Sequence, residues 1–473
     1  MGVICHSFAS TFMINTKSPD RLSALIVTTL GIFLITFMAA ALNIALPTIG
    51  RELAMDAISL SWVNTSYLMV SVMLVIPFGR IADICGRKKI FSWGMILFAV
   101  TSILLSLTNN GAMLLTLRFV QGVGGAMVNS TYISLLTSTF PLNERGRALG
   151  LNASSVYAGF SLGPFIGGLL TQHFGWRSVF WTVTVIGLIV LFIIFWRMKG
   201  DWVEARGEKF DIAGSVMYSI MIVTITYGFT HLPGILGILL IGIGIIVLVA
   251  FVVWEMRSTS PVLEINLFRK NRIFTFSCLA TLINYGATYA VGFMLSLYLQ
   301  YIKGYSPQSA GFILIIQPIL LVALSPFAGR LSDRIQPRLV ASAGMFCNVI
   351  GLGLFVYLGV DTGLILVFSG LVLIGLGIAF FAAPNINSGM SAIKPKFLGV
   401  ASATITTMRQ LGMVLSMGIV MLLFALYMGT VQITPEYHQQ FLQSIKVTFI
   451  IFSALSLLGV AASMARGTSE KIG

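Results

Sequence analysis

Residues 77–89 read PFGRIADICGRKK, and residues 326–333 read PFAGRLSD. Each copy closes an apolar run with proline, phenylalanine, glycine, arginine and aspartate in the same order. In the first copy the aspartate, Asp83, is set among Arg80, Arg87, Lys88 and Lys89. A sentence written twice in one chain points to two halves built on one plan. In membrane carriers a parallel repeat of this kind places the binding site between the halves, near the bilayer midplane.

Outward from these two copies the chain is apolar almost throughout. Of 473 residues only 9% are charged and 57% are hydrophobic, whereas soluble domains carry about 25% charged residues. A bilayer core takes about 20 apolar residues per helix. Fourteen windows meet that need: 23–46, 58–79, 90–108, 112–136, 148–171, 177–196, 212–231, 235–255, 273–301, 308–328, 339–359, 362–384, 398–428 and 444–465. The expected fold is therefore an all-α integral membrane protein. The repeat pairs spans 1–6 with spans 9–14 and leaves spans 7 and 8 as an inserted pair. This divides the chain into a tail (1–22), a first six-helix half (23–198), the inserted pair (199–258), a second half (259–466) and a short tail (467–473).

The formal charge of +14 sets the orientation. Fourteen spans put both termini on one side. On that side fall 23 of the 29 Lys and Arg residues, against Arg51, Arg177, Lys303 and Lys446 in the opposite loops and Arg118 and Arg409 inside spans. Basic residues are retained on the cytoplasmic side, so both termini are expected in the cytoplasm and anionic lipid is the natural counter-charge. No basic cluster with interleaved aromatics suits nucleic acid. Cys5, Cys85, Cys278 and Cys347 have neither disulfide nor metal-ligand spacing. A membrane-embedded enzyme would need acids or histidines clustered at one depth, and His6, His173, His231 and His438 are scattered. No connection is long enough to hold a soluble sensor module, and no obligate protein partner is implied.

The 79–89 string closely resembles the signature loop of the major facilitator superfamily, G-x-L-A-D-R-x-G-R-K. Physically, Gly79 and Gly86 permit a tight reversal, and Asp83 among Arg87, Lys88 and their neighbours makes a charge cluster that forms or breaks as halves rock. The resemblance implies gating here, with Asp83 held near Gly399. Residues 117–125, LRFVQGVGG, resemble the second signature, whose intramembrane arginine, here Arg118, is associated with proton coupling. An intramembrane charge marks a functional site, while snorkelling to the interface is its structural alternative.

In the fifth span Gly150, Gly159, Gly163, Pro164, Gly167 and Gly168 match every fixed position of the antiporter signature, typical of exporters. Gly159, Gly163 and Gly167 recur every four residues and form one flat stripe for close helix contact; Pro164 breaks the hydrogen-bond ladder beside them. Asn43 to Pro47, Trp176-Arg177, Phe210-Asp211 with Gly214, 261–272 and Arg409 to Gly412 resemble further motifs of the fourteen-span drug:proton antiporter branch. The resemblance covers essentially the whole chain. It implies an exporter of amphipathic, drug-like molecules across the cytoplasmic membrane, powered by a proton gradient without cofactor or metal.

One departure stands out. Where that branch usually has an acid in its first span, five positions before Asn43, this chain has Met38, and none of its fifteen acids falls mid-span. Three accounts stay open: coupling through interfacial groups such as Asp83, a neutral or anionic substrate drawn by Arg118 and Arg409, or proton-independent and lipid-like export. The candidate cavity residues are the polar ones on spans 1, 4, 9, 12 and 13: Asn43, Gln121, Asn129, Asn284, Tyr285, Tyr289, Asn385, Asn387 and Arg409.

Overall fold

The computed structural model describes residues 19–205, 207, 210–258, 266–393 and 398–467. The expected tail before Lys17 and the end of the chain after Gly467 lie outside them. Among the described residues the structure is helical, with fourteen helices long and apolar enough to cross a membrane. They are α1 (Pro19–Glu52), α2 (Ala57–Cys85), α3 (Arg87–Ser106), α4 (Gly111–Thr139), α5 (Leu142–Phe174), α6 (Arg177–Arg197), α7 (Ile212–Thr230) and α8 (Ile235–Glu255). Next come α9 (Arg272–Ile302) and α10, made of Pro307–Leu314 and Ile316–Arg334. The last four are α11 (Pro337–Phe355), α12 (Leu364–Ser391), α13 (Leu398–Tyr427) and α14 (His438–Ala465). Every expected span is present, and most helices overrun their apolar windows by a few polar residues. Helical hydrogen bonding continues to the bilayer surface, where side-chain polarity no longer matters.

The repeat is visible in packing. The offset of 250 residues between Asp83 and Asp333 also separates Gly94 of α3 from Gly344 of α11. A Cβ on Gly94 would stand 3.0 Å from the carbonyl of Gly124 on α4, and one on Gly344 would stand 2.6 Å from that of Gly377 on α12. The same backbone crossing thus recurs at corresponding places. One expectation is corrected. Gly79 lies inside α2, which runs unbroken to Cys85, so Gly86 alone makes the reversal. It has φ +115°, and a Cβ there would collide with Asp201.

We call the end of the bundle that carries Asp83 the basic end. At the opposite end the two halves are bonded together. Ser296 donates to the carbonyl of Asn43 at 2.6 Å, Gln300 to that of Ile44 at 3.0 Å and Tyr301 to that of Pro47 at 3.1 Å, all from α9 to α1. Arg51 returns a bond to the Gln300 carbonyl at 3.2 Å. Of these donors, Gln300 and Tyr301 lie in the π-helical turn Tyr298–Ile302 that ends α9.

Helix α5 shows the closure most directly. At Gly159, Gly163 and Gly167 it lies against the α1 backbone around Phe33, Phe37 and Ala41, and a Cβ on Gly163 would be 2.5 Å from that of Ala40. Near its far end Gly168 meets the Pro307 carbonyl of α10, while Gly311 of α10 meets the Pro164 carbonyl. Toward the basic end there is open space beside the two helices: nothing lies within 4 Å of a Cβ on Gly150 of α5 or on Gly329 of α10.

These contrasts set the first test. Gly163→Leu is expected to cost about 1–3 kcal/mol or more, as overpacking does, whereas Gly150→Ala should stay within about 0.5 kcal/mol. Thermal melts of the purified variants in one detergent read both; equal melting temperatures would contradict the close approach of α1 and α5.

Candidate functional site

The signature loop forms a charge cluster at the basic end. Arg87 opens α3 with its side chain largely covered, and its Nε donates to Asp83 at 2.8 Å. Its two terminal nitrogens form a fork on Glu204 at 2.7 and 2.6 Å, the bidentate geometry that gives arginine pairs their strength. A further bond reaches Ser138 of α4. The backbone N–H groups of Glu204 and Ala205 in turn donate to the Asp83 carbonyl at 3.2 and 3.0 Å. Asp201 accepts from the N–H of Lys88 at 2.9 Å and of Lys89 at 3.2 Å, so the start of α3 is capped from more than a hundred residues away. The connection between α6 and α7 therefore clamps the loop between α2 and α3. The cluster joins α2, α3, α4 and that connection. Gly399, where the resemblance puts Asp83's partner, falls in a stretch whose side-chain surroundings are outside the described residues.

Within the membrane, Arg118 is 2% exposed, so it does not snorkel. Its Nε donates to the Val63 carbonyl at 3.0 Å, it bonds Gln121, and its guanidinium stacks 4.6 Å from the Tyr67 ring centroid. Gln121 continues to Ser102 of α3 at 2.8 Å. Gly122 allows the crossing: a Cβ there would be 2.8 Å from the Tyr67 carbonyl. Met38, at the position of the missing acid, is 2% exposed and part of the main hydrophobic core.

The other candidate cavity residues divide. Asn284 and Asn385 are fully enclosed and hold helices together: Asn284 accepts from Asn348 of α11 at 2.9 Å, and Asn385 donates to Thr281 at 2.8 Å and accepts from Arg466 at 3.0 Å. Asn387 is exposed and donates to Ser332 at 3.3 Å. Asn129 is half-buried on α4. Asn43, Tyr285, Tyr289 and Arg409 remain partly accessible, and Asn43 accepts from Asn64 of α2 at 2.7 Å.

Arg466 was counted with the chain outside the spans; it is 1% exposed, held by Ser463, Ser277 and Asn385. No pattern in the sequence singles it out, because two of its partners, Ser277 and Asn385, come from the distant helices α9 and α12. The branch motifs gain physical roles. Trp176 donates to Glu52 at 2.7 Å, and Arg177 bonds both Glu52 and the Thr108 carbonyl, fastening the opposite end of the first half. Asp211 caps α7 through the N–H of Gly214 at 2.8 Å and receives Trp254 of α8.

Fourteen apolar helices, with α1 bonded to α9 and α5 packed on α10 at the end opposite the charge cluster, define a polytopic membrane transport protein. The chain belongs to the Major Facilitator Superfamily, whose family model matches residues 28–417. It is 30% identical to the riboflavin transporter RibZ of Clostridioides difficile, over 83% of this chain and 85% of that one. It is also 30% identical to the multidrug resistance protein Stp of Mycobacterium tuberculosis, over 83% and 74%. In fold it resembles the crystal structure of a bacterial homologue of the human lysosomal transporter Spinster, with TM-score 0.70, 14% identity and coverage of 95% and 97%. The superfamily is one of transporters, not enzymes.

The Arg118 site gives a second test. The Tyr67 hydroxyl makes no bond to protein, so Tyr67→Phe is expected to keep or raise stability. Tyr67→Leu removes the ring under the guanidinium, where a desolvated cation–π contact is worth about 2 kcal/mol, and should lower the melting temperature clearly. Equal melting temperatures for Phe and Leu variants would remove the ring from the account of Arg118.

Proposed function

We propose that this protein exports amphipathic small molecules across the cytoplasmic membrane by alternating access between residues 23–198 and 259–466, in exchange for protons. The observation that supports the reading is the bonding of α1 to α9 and the close approach of α5 and α10 at Gly168 and Gly311, with open space beside Gly150 and Gly329 toward the basic end. With the basic end in the cytoplasm, such an arrangement would receive cargo from inside. The relatives named above move riboflavin in one case and confer multidrug resistance in the other, which supports a small organic cargo.

Proton exchange needs a group that titrates. Among the described residues every carboxylate lies at a helix end or in a connection, and Asp83 and Glu204 are the ones gathered on a covered arginine. In this reading a proton on either loosens Arg87 and lets the first half move against α13. The second half contributes Arg409 and the start of α13, and the glycine stripe keeps α1 and α5 together through the motion. Arg118 tunes the interior charge.

The deciding experiment uses purified protein in liposomes with an imposed pH gradient and cationic, neutral and anionic amphiphiles. At least one compound should move uphill with proton counterflow. Flux without protons would remove the coupling and keep the exporter; no flux of any compound would sink the reading. Asp83→Asn should fold and lose export at least tenfold, because Arg87 keeps Glu204 but loses the loop's own acid. Orientation is checked with Cys85, which is exposed at the basic end. In a Cys5→Ser background an impermeant maleimide should label Cys85 in inverted vesicles and not in intact cells.

A further inference from the structure

Arg409 sits eleven residues into α13 from Leu398, about 16 Å along the helix, and so near the middle of a hydrocarbon core of about 30 Å. It is treated differently from every other interior arginine. Arg118 and Arg466 are covered and bonded to carbonyl, amide and hydroxyl oxygens. Arg409 is only partly buried, although its helix is packed on α2, α7, α9 and α14. Its Nε makes no bond to protein. No carboxylate among the described residues pairs with it.

What surrounds it is phenolic. Tyr132 of α4 and Tyr285 of α9 bring their hydroxyls to the guanidinium, and Tyr157 of α5 lies close by, its hydroxyl tied to Ser325 of α10. The cluster therefore draws on five helices from both halves. Local packing sets it there: one turn beyond Arg409, a Cβ on Gly412 would be 2.4 Å from the Leu282 carbonyl and 3.1 Å from the Tyr285 Cβ, so α13 and α9 touch backbone to backbone and Tyr285 is brought to the arginine.

We propose that this cluster is the binding site for the acidic group of the cargo, and that the cargo is an organic acid: an aromatic carboxylate or sulfonate. A guanidinium presents a planar fork of donors that matches such a group in two bonds. Hydroxyl donors add to it, and three phenol rings offer faces to a flat apolar body. The interior holds two arginines from the spans and, among the described residues, no mid-span acid, so an anion completes its charge and a cation worsens it. A lipid phosphate shares the head-group chemistry, but its place is at the bilayer surface, far from this depth. The inference rests on the transporter reading and deepens it.

The test is ligand-induced thermal stabilisation of the full-length protein in phosphatidylcholine nanodiscs. The probes are 2-naphthoate, naphthalene-2-sulfonate and the uncharged 2-naphthamide. The acids should stabilise wild type saturably, at concentrations at least tenfold below the amide. Arg409→Gln should abolish that preference, Arg409→Lys should keep part of it, and Tyr285→Phe should weaken the acids severalfold; melts without ligand confirm that each variant is folded. Equal action of acid and amide, no saturable response to either acid, or a preference that survives Arg409→Gln overturns the site. Flux of a neutral or cationic amphiphile through Arg409→Gln liposomes at the wild-type rate would overturn it too, and would leave the exporter reading standing. Absence of all flux beside an intact acid preference in nanodiscs would do the reverse.

Discussion

The absence of side chains along two faces of α5 is the constraint on which the architecture turns. Lipid is as apolar as leucine, so helices in a bilayer are not driven together by the hydrophobic effect and hold by close contact and hydrogen bonds instead. Gly159, Gly163 and Gly167 supply that contact with α1 inside the first half. A single step further, Gly168 supplies it with α10 of the second half. The first contact lies within the first six helices, and the second joins them to α10.

A second constraint comes from charge. Each interior arginine must be compensated where water is absent, and the chain does so without mid-span carboxylates among the described residues. Arg118 uses a carbonyl, an amide and an aromatic face; Arg466 uses serine and asparagine oxygens. Carboxylates pair with arginine at helix ends and connections instead: Arg87 holds two at the basic end, and Arg177 holds Glu52 at the opposite one. Met38 fits this scheme, since it packs into the main apolar core.

Much of this was legible in the sequence, and the remainder was not, for physical reasons. Spans follow from composition, because a helix in lipid must be apolar over a fixed length. The glycine stripe follows from spacing, because a period of four keeps small residues on one face. Gly79 was misjudged: a glycine beside a charged loop reads as a turn, yet the helix runs through it. Asp201 and Glu204 carry no local signal of their role, since nothing nearby in the chain shows that a connection more than a hundred residues away folds back on Arg87. Polar residues in spans were recognised as a class, but whether one is fully enclosed, as Asn284 and Asn385 are, or stays partly accessible, as Arg409 does, depends on helix rotation and on contacts distant in the chain.

The clamp on the signature loop also decides to which body the inserted hairpin belongs. By position in the chain α7 and α8 lie between the halves. By bonding they go with the first: Glu204 and Asp201 tie their leading connection to Arg87 and the start of α3, Tyr218 donates to the Val72 carbonyl at 3.1 Å, and Tyr227 packs on Trp62. Toward α13 the contact is of another kind, with the ring of Phe229 lying on the bare backbone at Gly418. A flat ring on a glycine resists little sideways displacement. The hairpin is thus bonded to α2 and tied through its leading connection to α3, while against α13 it is packed through a ring on a glycine.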